Sequence, residues 1–519
     1  MNPANFKELC EQVAISVRHL RYLLEQIEWH IPKATVWAFG SRIKWSHRPE
    51  SDLDLAVHCD KETARKALPK LNDALQESDL PFKVQILDFN RLPENMQENI
   101  KKNYLVLYQR QEKPLPSDWK ETTLGEVAEV QTGPFGSQLH EEDYVANGTP
   151  IITVENLVND HINHSSDTPK VSEEDKARLA RYILNEGDIV FSRVGSVDRC
   201  GYVSPKEDGW LFSGRLLRVR PAKEMFNKYV FYWISQQQIK EYVRKIAVGA
   251  TMPSINTELL SQVPISFPPL PEQKAIAAIL SSLDDKIELL RRQNKTLETI
   301  AQALFRKWFI EEAQEDWETV RIGDFVKTNA LSINNDFALE IIKYLDTSSI
   351  TEGEINGVQY LNIKDLPSRA KRIVKHNDIL ISTVRPDQKH YGIMKRPAEN
   401  LIVSTGFCVI TCDTIDPHYI YILLTTVEMT EYLHLIAEGT TSAYPSLKPS
   451  DIEKIEFQRP PKEKLCAFSK YADKAWDKID NNYSQIQTLS KLRDSLLPKL
   501  MKGEIRVKDA DSLVKERIK

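Results

Sequence analysis

The stretch LPEQKAIAAILSSLDDKIELLRRQNKTLETIAQALFRKWF (residues 270–309) carries apolar side chains at alternating steps of four and three. Ile276, Leu280, Leu283, Ile287, Leu290, Leu297 and Leu304 share one stripe with Asn294, Ala301 and Trp308. A stripe kept in that register over about four heptads marks a coiled-coil seam, because the face of an ordinary surface helix drifts at 3.6 residues per turn. The remaining faces are charged and balanced, Lys286, Arg291, Arg292 and Lys295 against Asp284, Asp285, Glu288 and Glu298. Only one side of the helix therefore needs a partner, and the partner expected is another helix.

The chain supplies one. KEKLCAFSKYADKAWDKIDNNYSQIQTLSKLRDSLLPKL (462–500) repeats the pattern with Phe468, Ala472, Ala475, Ile479, Asn482, Ile486, Leu489, Arg493, Leu496 and Leu500, each 192 residues after its counterpart. Equal spacing over ten positions is the mark of a long internal repeat. Two such helices, packed antiparallel, would make a rod of roughly 55 to 60 Å at 1.5 Å per residue.

At 519 residues the chain exceeds one hydrophobic core and predicts several domains. No run approaches the roughly 18 apolar residues of a membrane span, which predicts a cytoplasmic protein with no membrane partner. The six cysteines are scattered, without metal-ligand spacing, and are expected to be reduced core thiols. A net charge of -5 argues against a purely electrostatic nucleic-acid binder and leaves room for a selective one.

Near the amino terminus, ATVWAFGSRIKWSHRPESDLDLAV (34–57) reads as a strand, a turn at Gly40-Ser41-Arg42 leading into a helix, and a second strand with Asp52 and Asp54 on one face. Gly-Ser at a helix start offers open backbone N–H groups and a hydroxyl to phosphate, and two carboxylates two residues apart on a strand can share a divalent metal. These residues resemble the minimal branch of the nucleotidyltransferase superfamily. The resemblance implies Gly40, Ser41 and Arg42 as nucleotide-binding residues, Asp52 and Asp54 as metal ligands and catalytic residues if the domain is active, and Mg²⁺ with a nucleoside triphosphate as cofactors. The superfamily's third carboxylate falls on Gln85 in PFKVQILDFNRL (81–92), and Asp88, three residues on, belongs to the opposite strand face. A neutral amide does not hold a metal as a carboxylate does. Two readings stay open for this domain, a nucleotidyltransferase and a degenerate, nucleotide-binding or antitoxin-like module.

The repeat extends beyond the helices. DWKETTLGEVAEVQTG (118–133) parallels DWETVRIGDFVKTN (316–329), and LNEGDIVFSRVGS (184–196) parallels VKHNDILISTVRP (374–386). VGATMPSINTELLSQVPISFPPLPEQ (248–273) likewise parallels the segment 438–464. Trp119-x4-Leu-Gly-Glu-Val, Gly187-Asp-Ile-Val-Phe-Ser-Arg, Gly249-x3-Pro-x-Ile-Asn and Pro269-Leu-Pro-Glu-Gln resemble the specificity subunit of type I restriction-modification systems.

That resemblance predicts an α+β multidomain chain. An α/β nucleotidyltransferase-like domain (1–112) precedes two strand-rich α/β target-recognition domains (113–270 and 313–461). These are separated by an antiparallel two-helix coiled coil (271–312 and 462–507), and a charged tail (508–519) follows. The implied function is recognition of a bipartite double-stranded DNA target, as part of phage defence. The implied partners are two methyltransferase (modification) subunits and restriction/translocase subunits, which would bring S-adenosylmethionine and ATP. The specificity part itself has no phosphate loop or methyltransferase motif and needs no cofactor. Arginine reads guanine, and asparagine or glutamine reads adenine, by paired hydrogen bonds. The base-contact candidates are Gln138, Ser192, Arg193, Arg199 and Arg215 in the first repeat and Ser382, Arg385, Lys389 and Arg396 in the second. Arg193 and Arg385, from the paired strand-end segments, are preferred. The alternative is an adenylyltransferase or antitoxin-like enzyme of a defence system that the repeat tethers to DNA.

Overall fold

The computed structural model describes residues 9–518 apart from 11, 14, 32–33, 44–50, 77, 79, 110–114, 135, 137, 166, 250, 335–338 and 440–445. The chain forms two compact units that divide between Leu115 and Pro116.

The first unit is a four-stranded mixed sheet in the order Val84–Asp88, Leu53–His58, Thr35–Phe39, Tyr104–Gln109. Val84–Asp88 runs parallel to Leu53–His58, and the other pairs are antiparallel. Leu53, Leu55 and Val57 alternate onto the face covered by helices Val17–His30 and Leu68–Gln76, where Leu20, Leu23, Ile27, Leu71 and Leu75 complete the core. Period-two alternation sends Asp54 and Ala56 to the other face, beside Trp37, Phe39 and Phe89.

In the second unit the two repeats are built alike. The central sheet of the first is Cys200–Tyr202, Ile189–Ser192, Leu216–Pro221, Ala128–Thr132; that of the second is Tyr391–Ile393, Ile379–Ser382, Phe407–Cys412, Val326–Thr328. All six pairings are antiparallel, and the registers correspond, Ser192 opposite Leu216 and Ser382 opposite Phe407. A two-stranded ribbon brings the chain into and out of each repeat at one place: Lys120–Thr123 with Pro264–Phe267, and Thr319–Arg321 with Glu456–Gln458. The second sheets differ, with three strands in the first repeat and four in the second.

Each repeat feeds into a long helix, Leu270–Arg306 and Lys462–Met501. Lys464 meets Glu312 at 3.1 Å, Asn482 donates to Asn294 at 2.7 Å, and Arg493 meets Asp284 at 2.9 Å. Numbers rise along one helix as they fall along the other, so the pair is antiparallel. Of the expected seam, Ile276, Leu280, Leu283, Ile287, Leu290, Phe468, Ile479, Ile486, Leu489 and Leu496 are buried, while Leu297 and Leu304 are half-buried where the second repeat packs. The Asn294–Asn482 pair interrupts this apolar seam with a hydrogen bond that a shifted register would lose. The charged tail is corrected: residues 507–518 form a helix that packs against both long helices and buries Ala510 and Val514, four residues apart.

No disulfide joins the six cysteines, but Cys466 is exposed rather than in a core. Among the described residues no single helix is long and apolar enough to cross a membrane. The helices Pro417–Thr425 and Val427–Glu438 reach that composition only together; they are bent by 69°, with Tyr419, Ile420, Ile422 and Leu424 in the core.

One rod residue predicts a pH effect. Burial, opposed by Lys295 and reinforced by Glu352 and Glu354 of the second repeat, pushes the Glu298 carboxyl from 4.5 up to about 7. The folded chain then binds a proton that the unfolded chain has released, so this contribution is complete below about 4.5 and lost as pH rises through about 7. Glu298→Gln should shrink the stability loss between about pH 5 and about pH 8 by up to ~3 kcal/mol. Urea unfolding at both pH values checks it; equal pH dependence in the two proteins would refute it.

Candidate nucleic-acid interface and carboxylate site

The strand Ile189–Ser192 ends where two neighbours cross it. Ser192 N donates to Arg199 O at 2.8 Å and Arg193 N to Arg215 O at 2.8 Å, so these pairings gather Arg193, Arg199 and Arg215 at one end of the sheet. Arg199 and Arg215 are exposed. Arg193 is half-buried, its guanidinium 3.3 Å from both Thr132 Oγ1 and Gly214 O. Glu155 lies within their field: backbone and Thr153 hydrogen bonds hold its carboxyl below the usual range, and Arg215 and Arg199 add to the effect. Three cations at a sheet end can meet phosphates or guanine edges. Gln138 is not tied to this cluster; its side chain accepts from Tyr182 Oη at 2.7 Å.

The same backbone pairings recur in the second repeat with different side chains. Ser382 N donates to His390 O at 2.9 Å and Thr383 N to Gly406 O at 2.8 Å. His390, Thr383 and Gly406 thus stand where Arg199, Arg193 and Arg215 stand in the first. Arg385 is exposed with φ 49°, and its counterpart is Gly195 at φ 78°, not Arg193. Arg193 and Arg385 thus share the strand-end segment but not a position in it.

Three further expectations change. Ser192 is fully buried; its hydroxyl donates to Ser196 O and accepts from Arg199 N, which staples the turn. Ser382 is likewise buried and donates to Val384 O at 2.9 Å, so neither serine presents a hydroxyl to DNA. Arg396 is held by Asp480 of the second long helix, Nε to Oδ2 at 3.0 Å, which makes it a tie between domain and rod. Lys389 remains exposed and pairs with Glu352 at 3.0 Å. Sequence reading missed His390 and Arg369, whose guanidinium borders Gly406. His390 could have been found by extending the strand alignment through the following turn; Arg369 had no such signal.

In the first unit Gly40, at φ 86°, lies against the Asp54 carboxylate, and a Cβ there would fall on Asp54 Oδ2. Glycine is required on both counts. The helix expected after the turn falls on residues 44–50, outside the described residues. Arg42 is buried, with Nε donating to Ser51 O at 3.0 Å and its guanidinium over the Phe82 ring at 4.2 Å, which holds the turn against the sheet. Burial first, and the Asp52 charge second, hold the Asp54 carboxyl above its ordinary range. Asp52 and Asp54, two residues apart, belong to one face of the strand, the kind of donor pair that could share a divalent cation. Gln85 is opposite Asp54 on the parallel strand and exposed, where a third carboxylate would complete the set. Asp88 caps the turn Phe89–Arg91 through Asn90 N at 3.1 Å and pairs with Arg91 at 3.3 Å, so it does not substitute. Among the described residues no group of three or more His, Cys, Asp or Glu could hold a metal.

The profile of the polymerase beta, nucleotidyltransferase family matches residues 30–113. A probable protein adenylyltransferase, MntA, of Haemophilus influenzae is 38% identical over 107 residues, 20% of this chain and 88% of that protein. The type I restriction enzyme MjaIX specificity subunit of Methanocaldococcus jannaschii is 27% identical over 418 residues, 76% of this chain and 95% of the relative. A solved type I restriction-modification S subunit from M. genitalium aligns with 75% of this chain and 98% of its own, at 16% identity and a TM-score of 0.49. The profile of the type I restriction modification DNA specificity domain matches twice, over residues 116–299 and 314–496, in keeping with the two repeats and the helix each feeds. The chain belongs to the type I restriction-modification DNA specificity family, with a nucleotidyltransferase domain joined at its amino-terminal side.

Proposed function

We propose that the chain reads a bipartite DNA target in which the two half-sites differ in sequence, the long helices setting the unread spacer between them. One observation carries this reading. An identical strand scaffold presents Arg193, Arg199 and Arg215 in one repeat and Thr383, His390 and Gly406 in the other. Different donor sets on one frame select different bases. Two methyltransferase subunits and restriction subunits would act where this chain places them in the cytoplasm, supplying S-adenosylmethionine and ATP chemistry. Mapping methylated positions in DNA from cells that express the chain with its methyltransferase tests the reading. Two unlike half-sites at fixed spacing are expected, and a palindromic or continuous site would overturn it.

The amino-terminal domain binds a nucleoside triphosphate with Mg²⁺ at Asp52 and Asp54, Gly40 leaving the room and Ser41 the hydroxyl. A bound metal would neutralise the paired carboxylates and the phosphates. Asp52→Asn with Asp54→Asn should reduce Mg²⁺-dependent nucleotide binding at least tenfold, read by titration calorimetry on the full chain. Transfer of a labelled nucleotidyl group should be weak in the wild type and raised by Gln85→Asp. Robust wild-type transfer lost in the double variant would instead favour adenylyl transfer as a second function.

A further inference from the structure

At the opposite end of the first repeat's central sheet lies a shallow concavity lined by Glu129, Gln131, Arg181, Asn185, Arg218 and Arg220. Arg218 is almost wholly buried, and its neighbours satisfy it only in part. Nη2 meets Glu129 Oε1 at 3.1 Å and Nη1 reaches Arg181 O at 3.4 Å, while Nε is buried without a hydrogen-bond partner among the described residues. Gln131, directly across the strand pair from Arg218, leaves Oε1 buried and unpartnered as well. Burial and the charge of Arg220 both lower the Arg218 pKa, so its charge is incompletely compensated. Arg220 is spent on Asp188, at 2.7 and 2.6 Å.

The second repeat shows that the fold does not need these guanidinium groups. Asp188 and Asp378 do the same work, accepting from Asn185 N at 2.8 Å and from Lys375 N at 2.7 Å to close the turn before the strand. Opposite Asp378, Thr411 Oγ1 donates to Oδ1 at 2.7 Å and suffices. By strand register Val409 and Thr411 occupy the places of Arg218 and Arg220. A buried arginine that an apolar residue replaces in the same scaffold is costly unless something outside the fold uses its charge.

We infer that this concavity is an oxyanion site of the first recognition domain and takes a phosphate group. Exposed Arg181 and the outer edge of Arg220 stand at the mouth, Asn185 offers an amide, and Arg218 supplies positive charge from the floor. Three guanidinium groups there face two carboxylates, and Asp188 is already taken up by Arg220. Phosphate suits the site better than a carboxylate, because its oxygens can reach donors on several sides while a carboxylate is met by one fork. The strand carries Arg218 and Arg220 about 10 to 17 Å from Arg215, at roughly 3.3 Å per residue. The source of the phosphate, DNA backbone or free ligand, rests on the DNA-reading assignment; the site itself does not.

The full-length chain is melted in inorganic phosphate and in chloride at equal ionic strength. Phosphate should raise Tm in the wild type, by less than half as much in Arg181→Ala, and not at all in Arg218→Val with Arg220→Thr, which copies the second repeat. Arg181 is exposed, so its variant reads the site even where the double variant does not fold. No phosphate effect in the wild type, or an equal effect in Arg181→Ala, would overturn the inference. For the source, target binding by the complex with its methyltransferase is measured against salt. A log–log slope shallower by about one in Arg181→Ala, with sequence preference unchanged, assigns a backbone phosphate. An unchanged slope with the Tm effect intact assigns a free phosphate-bearing ligand.

Discussion

Leu283→Asp, and separately Ile479→Asp, should each cost at least ~4 kcal/mol and separate the two long helices. Both side chains are buried in the seam, Leu283 at 0% and Ile479 at 4% exposure. Aspartate there loses the packing of a leucine or isoleucine, which is worth about 2 to 5 kcal/mol on truncation alone, and adds the desolvation of a carboxylate in an apolar seam. Beside Leu283 in sequence, Asp284 already holds Arg493 at 2.9 Å and accepts from Tyr232 Oη at 2.6 Å, so that guanidinium is committed. The loss should extend beyond the rod, because Phe468, Ala472, Ala475 and Ile479 share one core with the second recognition domain. Thermal melting of the full chain, with circular dichroism at both aromatic and peptide wavelengths, reads the effect. Wild-type melting in both variants would refute the seam.

Exchanging the first recognition domain for that of a relative should replace one half of the methylated target and leave the other half and the spacer unchanged. The ribbon of Lys120–Thr123 with Pro264–Phe267 supplies the cut points, because the chain enters and leaves the domain there side by side. Joining within the loops beyond that ribbon keeps Tyr232, Gln273 and Asp284 where the domain meets the rod only if the incoming domain carries an equivalent tyrosine. A spacer change would mean that the domain, not the rod, sets the separation. A change in both halves would sink the modular assignment. Methylation mapping reads all three outcomes from one experiment.

The contrast between the arginine cluster and its counterpart explains why residue-level reading was limited. Arg193, Arg199 and Arg215 lie within 23 residues, and only strand pairing shows that they share a sheet end. Ser192 and Ser382 looked equally available, since a serine after an apolar strand reads alike whether its hydroxyl faces solvent or closes the next turn. Arg396 looked like a free cation because its partner, Asp480, is 84 residues away. The same applies to Arg42, which sits beside a phosphate-binding pattern and yet lies over Phe82.

Periodicity and matched spacing determined the rod and the repeat, and the Gly40-to-Asp54 motif marked the amino-terminal unit. These properties are written locally: a seam needs apolar residues at steps of four and three, a repeat needs only matched spacing, and Gly40 with Asp54 is constrained by one strand-turn-strand segment. Tertiary structure decided which cations face outward, that residues 507–518 are a packed helix rather than a charged tail, and that Asp88 is spent on a cap. Those outcomes depend on partners tens of residues away, whose distances are set by how strands register and helices dock. A charged side chain carries no mark in sequence of whether its counter-charge is water, DNA or an aspartate on the next element.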